Sequence, residues 1–257
     1  MFEEVPSFVD YHCHLDLYPD YEKQFRACDA KRIATLAVTT TPRAWPRNKV
    51  LTGTTSLVRV GLGFHPQLVG DHVEDLRLFA KYLPEARFVG EVGLDAGPAH
   101  YKTFADQKRT FETILKLCAQ AGGKILSVHS VRSAREVISM IETHLTGTDN
   151  RVVLHWFTGS VAEARRAAGW GCYFSINQAM LGKTSTIMLI KGLPKERLLT
   201  ETDGPFTKIG TRPTIPSDVA ETTNLLATIL QESPQETRKL LISNLTQLEK
   251  RTQCAGV

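Results

Sequence analysis

Eight short runs rich in β-branched and aromatic residues alternate with helix-like stretches along this chain, and that alternation restricts the fold more than any other feature. The runs are Ser7 to His14, Ile33 to Thr39, Val58 to His65, Phe88 to Asp95, Ile125 to Ser130, Arg151 to Phe157, Cys172 to Asn177 and Leu198 to Thr202. Among the intervening stretches, Phe104 to Ala121 sets Phe104, Phe111, Leu115 and Cys118 on one helical face before Gly122-Gly123 stops it. Further on, Ser233-Pro234-Gln235-Glu236 reads as a capping box with proline at the first helical position, followed by the apolar stripe Leu240, Leu241, Leu245 and Leu248. Eight strand–helix units within 257 residues predict an α/β fold, a single TIM-type (β/α)8 barrel over residues 1–257, in preference to an open doubly wound sheet. One core can serve a barrel of about 250 residues. No low-complexity tract, charge block or Gly/Ser linker divides the chain.

The charge balance narrows function only a little. Thirty-one Lys and Arg against 27 Asp and Glu give a formal net charge of +4, which permits an anionic substrate without requiring one. No window approaches a membrane span, and Met1-Phe2-Glu3-Glu4 does not open like a secretory signal. Five scattered cysteines without a Cys-x-x-Cys predict a reducing, cytoplasmic compartment.

Histidines mark where the chemistry lies. His12 and His14 end the first run, His65 the third, His129 the fifth and His155 the sixth, while Glu91 sits in the fourth and Asp203 follows the eighth. In a barrel these strand ends meet on one face. His72, His100 and His144 fall in predicted helices or loops and receive no role. His12 and His14, two apart on a strand, point to the same side and can hold one cation, although an isolated His-x-His also suits two core imidazoles satisfied by backbone groups. Gly90-Glu91-Val92-Gly93-Leu94-Asp95 sets carboxylates in an apolar run that holds no basic residue, where a nearby cation would offset the burial of charge. Asp203, at a Gly204-Pro205 turn, can bind metal and accept a proton. Four histidines, one glutamate and one aspartate suffice for two divalent ions sharing a bridging ligand. That arrangement makes water acidic and polarises a phosphoryl or carbonyl oxygen, so hydrolysis is expected. Nitrogen and oxygen donors of this kind accept Mg, Mn, Zn or Ni. Cys13, between two inward histidines, points the other way and is read as packing. His65 is not needed as a ligand and is assigned to substrate orientation or proton transfer.

Six separated motifs together resemble the TatD family of metal-dependent deoxyribonucleases over residues 8 to 250. They are Asp10-x-His12-x-His14, Gly63-x-His65-Pro66, Gly90-Glu91-Val92-Gly93-Leu94-Asp95, His129-Ser130, His155-Trp156-Phe157-Thr158-Gly159-Ser160 and Glu201-Thr202-Asp203-Gly204-Pro205. The resemblance implies a barrel of the amidohydrolase type, two divalent ions, and nuclease activity that is exonucleolytic on single-stranded or damaged DNA. By motif, it implies that His12 and His14 bind a first metal, Glu91 bridges, His129 and His155 bind a second, Asp203 completes the first and assists water, and His65 lies near the substrate phosphate. The stretches Leu15-Asp16-Leu17-Tyr18-Pro19-Asp20, Thr39 to Pro46 and Val153 to Phe157 look closer to one branch, the TatD-like protein of the Qat bacterial anti-phage system, which implies partner proteins of that system. Three departures bear on substrate contacts: an arginine three residues after His129 where relatives have it two after, Trp156 where relatives have cysteine, and Ala96-Gly97-Pro98-Ala99-His100 in place of a Tyr-rich continuation.

The sequence therefore predicts a DNase whose Lys183, Lys208 and Arg212 neutralise substrate phosphates and whose Trp156 or Phe206 stacks on a base. Two alternatives keep the metals: a hydrolase of small esters, amides or phosphoesters, and a metal-stabilised subunit of a defence complex.

Overall fold

A computed structural model describes residues 5–71 and 74–250; Met1 to Glu4, His72 and Cys254 lie outside the described residues. Eight parallel strands run in sequential order: β1 (Phe8–Cys13), β2 (Ile33–Val38), β3 (Val58–Leu62), β4 (Phe88–Asp95), β5 (Ile125–Val131), β6 (Arg151–His155), β7 (Tyr173–Ile176) and β8 (Leu198–Thr200). The helices between and after them are α1 (Tyr21–Ala30), α2 (Trp45–Thr52), α3 (Asp75–Tyr82), α4 (Phe104–Ala121), α5 (Ala134–Leu145), α6 (Val161–Trp170), α7 (Thr184–Lys191), α8 (Val219–Leu230) and α9 (Pro234–Glu249). Seven of the eight sequence runs contain their strand and β5 runs one residue past the fifth, and both the Phe104–Ala121 helix and the Ser233 capping box are present. The architecture is the (β/α)8 barrel that the alternation predicts. Among the described residues, no helix is long and apolar enough to cross a membrane.

Burial explains the strand composition. Every residue of β2 and β4 is buried, because parallel strands covered by helices face apolar neighbours on both sides. Leu36, Val38, Val89, Val92 and Leu126 are all but fully buried, and each such side chain contributes about 1.5–3 kcal/mol.

The seam between β8 and β1 is fastened by a buried polar clamp. Asp10 accepts hydrogen bonds at 2.7 Å from both the Thr202 amide and the Thr202 hydroxyl, and the Asp203 amide donates to the His12 carbonyl at 2.9 Å. The clamp draws the Asp203 loop against the end of β1. Close approach matters also at β4, where Gly93 has φ +140° and a Cβ would lie 2.1 Å from the His129 carbonyl oxygen. Only glycine lets β4 run this near β5.

Candidate metal centre

His12 lies on β1 and His14 directly after it, so alternation sends both imidazoles to the barrel's carboxyl end. Their Nε2 atoms are 3.4 Å apart. Glu91 Oε2 lies 3.4 and 3.2 Å from them, and Asp203 Oδ1 lies 3.7 and 3.6 Å from them. Four donors held about 2.1 Å from one tetrahedral ion would be about 3.4 Å from each other. The observed spacing of two nitrogens and two oxygens fits a cation.

The second oxygen of Glu91 faces another set. Oε1 is 2.7 Å from His129 Nδ1, and 3.3 Å from both His155 Nε2 and His65 Nε2. One buried carboxylate thus presents each oxygen to a different group of imidazoles. On the Oε1 side the donor atoms of His65, Glu91 and His129 lie within 4.8 Å of one another, as do those of His12, His155 and Glu201, and hydrogen bonds on the far side of each ring separate ligands from proton carriers. The Gln67 amide donates to His65 Nδ1 at 3.2 Å, which leaves the proton of the neutral ring on Nε2, pointing inward. His65 is therefore set up as a donor. His129 and His155 are arranged oppositely. His129 Nε2 is 3.2 Å from Asp95 Oδ2, and His155 Nδ1 is 3.3 Å from Glu201 Oε1 and Oε2. Each carboxylate takes the outer N–H and turns the other nitrogen's lone pair inward. His12 Nδ1 lies 2.7 Å from the Ser127 hydroxyl in the same fashion.

Electrostatics follow from this packing. Burial disfavours the Glu91 anion, but His65, His155 and His12 outweigh it and hold its carboxyl well below the ordinary range. Burial likewise opposes a charged His155, yet Glu201 and Glu91 lift it well above the usual imidazole value. Burial pushes His12 well below that value, with His155 adding to the effect. Asp203 is pushed up to about 7, chiefly by burial, with Glu91 and Glu201 adding and His155 and His14 opposing.

Asp95 and Glu201 were legible as residues but not as supports. Glu201 is fully buried on the strand side of Asp203 and accepts hydrogen bonds from the Asn177 amide at 2.9 Å and the Trp156 backbone N–H at 3.1 Å, with Ser175 also bonded. A carboxylate with no lysine or arginine partner among the described residues, placed behind a histidine, is the signal that could have found it. Glu201→Gln is expected to remain folded and to lose roughly 10–100-fold in metal affinity, read by competition with a chromogenic chelator. Equal affinity in both proteins would remove Glu201 from this role.

The centre opens into a cleft of about 810 Å³ bordered by His14, His65, Glu91, His129, His155 and Asp203, and also by Arg132, Trp156, Lys183 and Phe206. Phe206 is 59% exposed at the rim, with its ring edge-to-face with His14 at 4.9 Å. Of the three cations expected at substrate phosphates, Lys183 borders the cleft. Lys208 lies on the two-residue strand β9 (Lys208–Ile209), which pairs with β10 (Arg212–Pro213), and neither Lys208 nor Arg212 lines the cleft. Arg212 is held in a two-pronged ion pair with Asp218 at 2.7 and 2.8 Å, so its charge is neutralised locally. Cys13 is fully buried, with its thiol 3.4 Å from the Gly204 carbonyl, and is packing as the sequence implies.

A family model described as TatD related DNase matches residues 9–250. The chain is 31% identical to "Deoxyribonuclease Tat-D" of Schizosaccharomyces pombe over 120 residues, a match that spans 47% of this chain and 38% of that protein. It thus covers less than half the length of that relative. It is 30% identical to "Uncharacterized metal-dependent hydrolase YcfH" of Escherichia coli K12 over 213 residues, 77% of each chain. The crystal structure of YjjV, a TatD homologue from Escherichia coli K12, superimposes with a TM-score of 0.84 at 24% identity, covering 95% of this chain and 98% of that one.

Proposed function

Because the chain belongs to the TatD-related DNase family, we propose that it is a metal-dependent deoxyribonuclease that hydrolyses phosphodiester bonds in the cleft above the barrel. The observation that carries this reading is Glu91, whose two oxygens face two separate imidazole sets at 2.7–3.4 Å. In this reading His12, His14, Asp203 and Glu91 would hold one divalent ion, and His129, His155 and Glu91 would hold a second. Bound ions supply Lewis acidity toward a phosphoryl oxygen and make a coordinated water more acidic. The chain's own groups do the rest. Asp203 accepts the proton of the attacking water, and the inward Nε2–H of His65 donates to a phosphoryl or leaving oxygen. Lys183 offsets phosphate charge, while Phe206 and Trp156 offer faces to unpaired bases, which favours single-stranded DNA and exonucleolytic trimming.

Mg, Mn, Zn or Ni suits the nitrogen and oxygen donors. The described cysteines Cys13, Cys28, Cys118 and Cys172 are free and buried, in keeping with a reducing compartment, and we place the activity in the cytoplasm. On the resemblance carried by the stretches Leu15 to Asp20, Thr39 to Pro46 and Val153 to Phe157, its setting is proposed to be Qat anti-phage defence alongside that system's partner proteins. A folded Asp203→Ala allele that still protects cells from phage would favour a metal-stabilised subunit over a nuclease in that system, and protection left intact by deleting the whole gene would remove the setting.

The direct test is end-labelled single-stranded and duplex DNA incubated with added Mg, Mn or Zn, or with chelator. Degradation that requires metal and yields a ladder from one end is the expected result. Intact DNA after incubation with folded, metal-loaded protein would overturn the nuclease reading.

A further inference from the structure

The cleft continues past the metal centre. A second cavity of about 260 Å³ adjoins it and shares Ser130, Arg132 and Thr158 with its wall. Arg132 therefore stands at the passage between the two. It is the first residue after β5 and has a left-handed backbone, φ +52°, an uncommon conformation for a side-chain-bearing residue. The turn is fixed on both sides. The Ala96 amide donates to the Val131 carbonyl at 2.9 Å, and the Ser133 hydroxyl donates to the Leu94 carbonyl at 2.9 Å. Such conformations persist where the surroundings over-determine them, often at functional sites.

Arg132 is also free to take a ligand's charge. Arg43, Arg109, Arg166 and Arg212 each pair with a carboxylate, whereas Arg132, like its exposed neighbour Arg135 in the second cavity's wall, makes no ion pair among the described residues, and of these two only Arg132 also borders the metal cleft. The acidic side chain of Glu163 in the second cavity is occupied by the Ser160 amide and hydroxyl at 2.7 and 2.8 Å. Glu136, also in that wall, is exposed to solvent.

We propose that Arg132 binds the phosphate next to the one being cleaved, so that the site takes a chain with successive phosphates in preference to an isolated phosphodiester. The proposal rests on the nuclease reading for the identity of the ligand. A guanidinium placed where two cavities meet can grip a second phosphate with a two-pronged hydrogen bond while the scissile group stays over Glu91 and Asp203.

Binding separates this proposal from catalysis. Labelled dT10 is titrated with wild type, Arg132→Ala and Arg132→Lys in chelator, by fluorescence anisotropy at several salt concentrations. Arg132→Ala is expected to bind about tenfold more weakly and to lower the slope of log affinity against log salt by about 0.7, the value of one single-strand phosphate contact. Arg132→Lys restores the slope and part of the affinity. With metal added, hydrolysis of bis(p-nitrophenyl) phosphate, which has no neighbouring phosphate, stays at the wild-type rate in Arg132→Ala. Equal dT10 affinity and slope in wild type and Arg132→Ala would overturn the proposal, as would an equal loss on the small diester. DNA that binds through Arg132 but remains intact when metal is added would instead sink the nuclease reading, leaving only the phosphate contact of Arg132 and not its place beside a scissile group.

Discussion

Glu91→Ala is expected to lose both bound metal and DNA cleavage, with turnover down by about 10³-fold or more. The reason is geometric. Oε2 lies 3.2–3.4 Å from the two histidines at the end of β1, and Oε1 lies 2.7–3.3 Å from His129, His155 and His65, so one truncation withdraws an oxygen from both halves of the centre. No neighbour can replace it, because Asp95 and Glu201 are already bonded to the outer nitrogens of His129 and His155. Metal content by atomic emission and cleavage of labelled DNA give the readouts, with circular dichroism confirming the fold. The isosteric Glu91→Gln guards against a collapsed site and is expected to show the same loss. A folded Glu91→Ala protein that retains two metal equivalents and wild-type turnover would dismiss the shared-carboxylate arrangement.

Asp203→Asn separates turnover from binding. Asp203 follows β8 with φ +52°, held by its own amide on the His12 carbonyl and by the Asp10–Thr202 clamp behind it. Asparagine keeps that shape but can neither carry the negative charge nor accept the proton. Removal of one general base costs about 10²–10⁴-fold in rate, so kcat on DNA is expected to fall by about 10³-fold while affinity for dT10 in chelator stays within about twofold. A parallel loss of DNA affinity would mean that Asp203 positions substrate. Unchanged kcat would pass the proton to another group.

How much of this was readable in advance varies with the range of the interaction. The barrel was legible because strand and helix periodicities are local, and burial on both faces makes parallel strands read as continuous apolar runs. His12 and His14 were legible as a pair because a two-residue spacing on a strand fixes their common side. Glu91 stood out as a charge in an apolar run. The tasks of Glu201 and Asp95 were not legible, since each depends on a histidine from another strand. Arg212 shows the opposite failure. Its position after the eighth run suggested a phosphate contact, but Asp218, six residues away, neutralises it. Arg132 was noted only as a departure in spacing, and its place between two cavities follows from a left-handed turn that composition does not reveal.

The sequence alone thus determined the repeating unit, the strand that carries each candidate ligand and the chemical types of donor available. The tertiary structure decided which oxygen of Glu91 faces which imidazole, which ring nitrogen each carboxylate orients, and which cations reach the cleft. Periodicity along one chain reports the direction of a side chain from its own strand, whereas distances of about 3 Å between groups on different strands arise only when the barrel brings those strands together.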